Sequence, residues 1–155
     1  MYLTEISQLL GTLHSTIDKA IADLPDEALE WQPGAGMNNL GILLAHTLGA
    51  ERFWIGDMAG GEPSGRVRDD EFATTGKTVA FFAGRAQEVL AHSHSILARI
   101  APEELGELRR VPGSGREVTV AWAVLHALEH TALHAGHIEI TRQLWDQHQS
   151  LIEAG

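Results

Sequence analysis

Cysteine is missing from all 155 residues, so disulfides, thiolate zinc sites and a cysteine nucleophile are excluded together. Basic residues are scarce: 11 Lys and Arg stand against 21 Asp and Glu, a formal charge of −10. Proteins that grip a phosphate backbone need a basic stripe, so nucleic acid is not an expected partner. An anionic membrane surface is disfavoured on the same ground. No stretch reaches the ~18 apolar residues expected of a membrane span. The N-terminal segment MYLTEISQLLGTLHS has neither a basic start nor an unbroken apolar run. No signal peptide is therefore read there, and a cytoplasmic location is expected. Internal repeats and low-complexity tracts are also lacking. What is present is an ordinary globular balance, 44% apolar and 21% charged, at a length that suits a single domain over residues 1–155.

Periodicity predicts four helices. In the first, Leu3, Ile6, Leu9, Leu10, Leu13, Ile17 and Ile21 recur at spacings of three and four and mark one apolar face. Pro25, Pro33, Gly34 and Gly36 break the pattern. A second helix starts near Asn38–Asn39, both good caps, and runs through Met58. The stretch AGGEPSGRVRDDEF has no periodicity and reads as a loop able to border a site. A third helix spans roughly Thr78 to Ile100, with Phe81, Phe82, Val89, Ile96 and Leu97 as core candidates; RRVPGSGRE punctuates the chain again. The fourth helix opens near Thr119 and continues to about Ser150. The fold class expected is all-α, a four-helix bundle with irregular connections.

The fourth helix is apolar on nearly every side from Val118 to Leu133, which predicts a helix at the centre of the bundle. It nevertheless carries His126, His130, His134 and His137 along one stripe. Buried imidazoles need partners for their ring nitrogens, from hydrogen bonds or a metal ion. Side chains four apart have Cβ atoms roughly 5–6 Å apart, and two imidazoles can converge from there on one ion. His126 and His134 are separated by roughly 12 Å of helix rise and cannot comfortably share an ion with His130 between them. One ion therefore takes the 126/130, the 130/134 or the 134/137 pair, with a third ligand from another helix. His46, in LGILLAHTLGAERFW, is the best candidate. His14, His92, His94 and His148 read as solvated.

His126-Ala-Leu-Glu129-His130 also fits the H-x-x-E-H pattern of inverzincin peptidases, with Glu129 as base. Three fixed positions are a weak match, and only 25 residues follow His130 to supply the downstream acidic ligand and a substrate cleft. The peptidase reading is set aside.

Taken in order, the stretches LLAHTLGAERFW and EHTALHAGHIEITRQLW resemble the DinB/YfiT-like family of bacterial four-helix-bundle metal proteins. Members share a ligand in a stretch like L-x-x-H-x-x-x-x-E-x-x-W, matched here by His46, Glu51 and Trp54. Two more lie in H-x-x-x-H-x-G-[QH], matched by His130, His134, Gly136 and His137. Trp31-Gln32-Pro33 and Arg142-Gln143-Leu144 extend the likeness over nearly the whole chain. The resemblance implies a divalent ion on His46, His130 and His134, with zinc or nickel preferred over iron or manganese. It further implies a homodimer, a small-molecule substrate, and either hydrolysis or S-transfer from a low-molecular-weight thiol. The absence of cysteine is compatible with a thiol brought by that cosubstrate.

Around the ligands, Glu129 is the candidate catalytic residue, as an orienting carboxylate or a general base through bound water. His126 and His137 are candidates for the shell around the site. Gly136 gives close helix approach or room beside His134. Trp54 and Trp122 are read as core, and Arg66, Arg68 and Arg142 as solvated, with anion steering as their functional alternative. A non-catalytic stress-response module with a structural ion is the competing function.

Overall fold

In the computed structural model, which describes residues 2–155, helix α1 (Tyr2–Ile21) packs Leu10, Ile17 and Ile21 inward from its apolar stripe. Leu9, on the edge of that stripe, is exposed. The helix stops at Asp23, whose φ of 61° is left-handed. Arg142 from the far end of the chain donates to the carbonyls of Ala20 (3.1 Å) and Ala22 (2.8 Å). A cation on the C-terminal carbonyls of a helix satisfies them and complements the macrodipole, so Arg142 is a cap and not a solvated side chain.

Three further helices start on side-chain caps at residues that the sequence pointed to. Asn39 accepts from Ile42 N and opens α2 (Leu40–Glu51). A five-residue helix α3 (Arg68–Phe72) stands in the segment read as loop. Thr78 accepts from Phe81 N to open α4 (Val79–Arg99), and Thr119 accepts from Trp122 N to open α5 (Val120–Ala154). Such caps are each worth about 0.5–2 kcal/mol. Between α4 and α5 the turn-rich stretch forms a hairpin of β1 (Leu108–Arg110) and β2 (Glu117–Thr119), paired antiparallel with Arg109 opposite Val118. The protein is thus all-α apart from this hairpin, a four-helix bundle of α1, α2, α4 and α5.

The second helix does not keep its α winding. From Arg52 to Ala59 it widens into a π-helix, closed by Gly60 N donating to Ile55 O at 2.8 Å. A Cβ on Gly56 would overlap the Arg52 guanidinium and crowd His92, so a glycine here lets Arg52 fold back over the wide turn. Wide turns of this kind re-aim side chains and are common at functional sites. Here the segment carries Phe53 and Trp54.

The core is split in two. One apolar cluster contains Ile17, Leu44, Phe82, Val89 and Ile138; the other contains Leu10, Ile55, Ile96, Val120 and Val124. Phe81, an expected core residue, is exposed, because Phe82 and not Phe81 lies on the inward stripe of α4. Between the two clusters each bundle helix contributes one buried polar residue: His14, Glu51, Ser93 and Thr131. The α5 helix is not covered on all sides, since Leu125, Leu133 and Ile140 form an exposed outer stripe. Among the described residues, no helix is long and apolar enough to cross a membrane.

Candidate metal centre

His46 lies on the buried face of α2, and α5 brings His130 and His134, one turn apart, to face it. The ring centroids are 4.9 Å apart for His46–His130, 5.0 Å for His46–His134 and 4.4 Å for His130–His134. One ring nitrogen from each lies within 4.8 Å of the others, and the Nε2 atoms of His46 and His130 are 3.1 Å apart. Nitrogens bound to one zinc-like ion at about 2.0–2.1 Å lie at most roughly 4 Å apart. The closest pair is already in range, and small ring rotations bring in the third. Of the histidine pairs open on α5, the geometry favours 130/134 joined by His46.

Two of the three donors are held without a proton. Burial first, then the neighbouring imidazoles, push His130 down to about 3 and His134 to about 4. Their lone pairs are therefore free at neutral pH. A set of neutral nitrogens suits zinc, nickel, iron or manganese, so the residues fit a divalent ion.

A carboxylate sets the direction of His46, and it was not legible beforehand. Glu71, on α3, accepts from His46 Nδ1 at 2.9 Å. It also accepts from Arg66 Nε and Nη2 at 2.6 and 2.8 Å. Burial acts to raise the Glu71 carboxyl, but these bonds from Arg66 and His46 outweigh it and hold the group below its ordinary value. With its proton fixed on Nδ1, His46 presents a bare Nε2 to the other rings, the arrangement that outer-shell carboxylates impose on metal-binding imidazoles. Nothing in Asp69-Asp70-Glu71 singles out the third acid, because an irregular segment carries it to the site.

The path of Glu71 crosses α2 at Gly49, where a Cβ would overlap its carboxylate. Gly49→Ala is therefore expected to push Glu71 off His46 and weaken metal affinity by about 10–100-fold, the range for losing an outer-shell partner. The helix itself should gain slightly from the alanine. Competition against a chromophoric chelator reads the affinity; an unchanged value would remove the orienting role of Glu71.

The remaining candidates fall elsewhere. Glu129 is not brought to the cluster. One residue from His130, it is turned about 100° round the helix, and its side chain is 78% exposed and bonded to His126 Nδ1 at 3.2 Å. His126 stacks on Trp122 at 4.5 Å and meets Trp54 edge-on at 4.8 Å. His137 is exposed, with its Nδ1 3.3 Å from that of His134. Gly136 faces open space, so no close helix approach requires it. His14, read as solvated, is buried and donates to Glu51 at 2.8 Å. His92 is half-buried against Glu62 at 2.8 Å, and His148 stacks on Trp31 at 5.2 Å.

A cavity of about 420 Å³ opens beside His46 and His130, walled by Phe53, Trp54, Pro112 and His126 and edged by Arg66 and Arg68. Trp54 and Trp122, expected in the core, are half-buried and pack against the edge of the second apolar cluster; Trp54 also lines the cavity, with Trp122 behind it at 5.2 Å. The cluster therefore borders a chamber of small-molecule size.

Comparison with known proteins agrees with this architecture. A family model described as Mycothiol-S-transferase matches residues 5–147. A conserved protein from Enterococcus faecalis is 15% identical with a TM-score of 0.70, over 91% of this chain and 95% of that one. A DinB-like protein from Bacillus subtilis is 16% identical with a TM-score of 0.69, over 90% of each chain. A histidine-to-alanine variant of a mycothiol-dependent maleylpyruvate isomerase is 14% identical with a TM-score of 0.65, over 86% of this chain and 59% of that one. At such identities the structural likeness shows the DinB-like fold alone. No curated protein sequence matches the chain.

Proposed function

The chain belongs to the mycothiol-S-transferase family, and from that premise we propose a divalent-metal-dependent enzyme that transfers the sulfur of a low-molecular-weight thiol to a small electrophile. Hydrolysis is the alternative use of the same site. The observation that carries the reading is the His46, His130 and His134 cluster opening on an aromatic-walled cavity. His46, His130 and His134 would hold the ion, and it would supply positive charge to lower the pKa of a thiol or water.

The rest falls to the chain. His130 and His134 offer unprotonated nitrogens because burial keeps protons off them. Glu71 fixes the tautomer of His46, and Phe53, Trp54 and His126 supply a dry wall for the electrophile. In the transfer the thiol S–H bond breaks and its proton passes to solvent. The sulfur electron pair forms the new S–C bond while the carbon–leaving-group bond of the electrophile breaks, and the leaving group (chloride from an aryl chloride) departs with the electron pair of the broken bond. With no cysteine in the chain, the sulfur has to come from the cosubstrate.

Elemental analysis of the purified protein, paired with a thiol-consumption assay on a chromogenic aryl chloride, tests the proposal. About one zinc or nickel per chain is expected, as for a single three-histidine site, with turnover that stops on chelation and returns with the ion. No ion after supplementation at neutral pH, or thiol consumption indifferent to chelation, would sink it. We also assign a homodimer to the apolar groove where Tyr2 and Leu9 of α1 adjoin Leu125 of α5. Sedimentation equilibrium giving only monomer would overturn that assignment.

A further inference from the structure

The cavity beside the histidines is edged by a cation that has no ion-pair partner among the described residues. Two arginines edge it. Arg66 is committed, since its guanidinium forms a two-point bond to Glu71. Arg68 is not: among the described residues no carboxylate lies within ion-pair distance of its guanidinium, which rests over the Phe72 ring at 4.7 Å. Phe72 in turn packs against His46, with ring centroids 5.0 Å apart. The stacking holds the charge on the cavity side of α3 and spends none of its hydrogen-bonding capacity. In a chain of net charge −10, a free guanidinium at the mouth of the histidine-lined chamber is a local inversion of sign.

The opposite wall has a different chemistry. Phe53 and Trp54 contribute aromatic rings, His126 meets Trp54 edge-on and stacks on Trp122, and Val111 and Pro112 from the hairpin complete the lining. Planar groups gain most from such a wall, through offset and edge-on contacts. The guanidinium fork matches a carboxylate in plane and in donor spacing.

Resting on the thiol-transfer reading for its place in the reaction, we propose that the acceptor is a planar, apolar electrophile bearing a carboxylate. Arg68 holds the carboxylate and the Phe53–Trp54–His126 wall holds the flat body. Arg68 is thus a specificity-determining residue, and neutral acceptors of the same shape are the poorer substrates.

The test is a binding comparison of trans-cinnamate with its methyl ester, followed by tryptophan fluorescence because Trp54 lines the cavity and Trp122 stacks on His126 of its wall. It is run on both the metal-loaded and the metal-free protein. A carboxylate that merely ligates the ion binds only the loaded form, whereas one held by Arg68 binds both. Cinnamate is expected to bind at least about tenfold more tightly than the ester in each form, the effect of one charge-assisted contact. Arg68→Gln should erase that preference and Arg68→Lys should retain part of it. Equal affinity for acid and ester, a preference that survives Arg68→Gln, one confined to the loaded protein, or no binding of either probe would each overturn the proposal. Failure of the thiol-transfer reading is seen separately, as absence of turnover in the wild type, and leaves the acid–ester comparison in the metal-free protein intact.

Discussion

His130→Ala is expected to strip the ion from the protein and to lower thiol-transfer turnover by at least about a thousandfold, while the bundle stays folded. Outer-shell partners alone are worth about 10–100-fold in metal affinity, and this substitution removes a donor outright. His130 is the central member of the cluster, with its ring 4.9 Å from that of His46 and 4.4 Å from that of His134. The two rings left behind come from different helices, and His137, the α5 imidazole beside His134, is exposed and outside the three-histidine group. Folding should tolerate the change, because the ring carries a buried Nδ1 without a hydrogen-bond partner, and deleting an unsatisfied polar group relieves a desolvation penalty. His126→Ala is the matched control, one turn earlier on the same helix, and should keep its ion. Metal content by elemental analysis and melting by circular dichroism read the two halves of the expectation. Equal metal content in His130→Ala and wild type would remove these three histidines as the binding site.

What the sequence made legible follows from the range of each signal. Caps act over three residues, and Asn39, Thr78 and Thr119 all stand where local chemistry put them. The spacing of His130 and His134 is also local, so helix geometry marked them as one of three possible pairs on α5, and the resemblance chose among the three. The pairing of His46 with them came from chemistry and resemblance, and needed the fold to make it spatial. Glu71 could not be read, because an irregular segment with its own short helix brings it back over Gly49. Glu129 misled for the opposite reason: adjacency in sequence to His130 is about 100° of separation on a helix. The π-turn at Arg52–Ala59 had no periodic signature either, and it carries Trp54, which packs against the edge of the second apolar cluster and lines the cavity. The apolar surplus of α5 suggested burial all round. Its outer stripe of Leu125, Leu133 and Ile140 instead shows that composition measures the amount of apolar surface and not the number of faces covered.

The largest loss of stability is expected from a residue that the chemistry above does not use. Glu51 is 0% exposed and accepts from all three other bundle helices: His14 Nε2 at 2.8 Å, Ser93 Oγ at 2.7 Å and Thr131 Oγ1 at 3.3 Å. These four residues separate the two apolar clusters, so the layer can form only when the helices are in one mutual register. His14 Nε2 serves Glu51, and the buried Nδ1 of the same ring has no hydrogen-bond partner. Glu51→Ala leaves three donors buried without an acceptor and opens a cavity. Breaking a buried charged network of this kind costs about 3–5 kcal/mol, a large part of the roughly 5–15 kcal/mol that stabilises a domain. Urea denaturation of the metal-free protein, where no ion contributes to folding, measures the loss directly. Glu51→Gln should lose less, since its amide oxygen still accepts. Replacing Glu51 and His14 together with leucine or methionine should recover much of the loss, because apolar residues of similar volume can substitute for a buried polar pair. A loss below about 1 kcal/mol for Glu51→Ala, the value of a single ordinary hydrogen bond, would mean that the layer does not hold the bundle. Recovery in the double variant with scrambled metal binding would show what the polar layer supplies in place of stability: the register that sets His130 opposite His46.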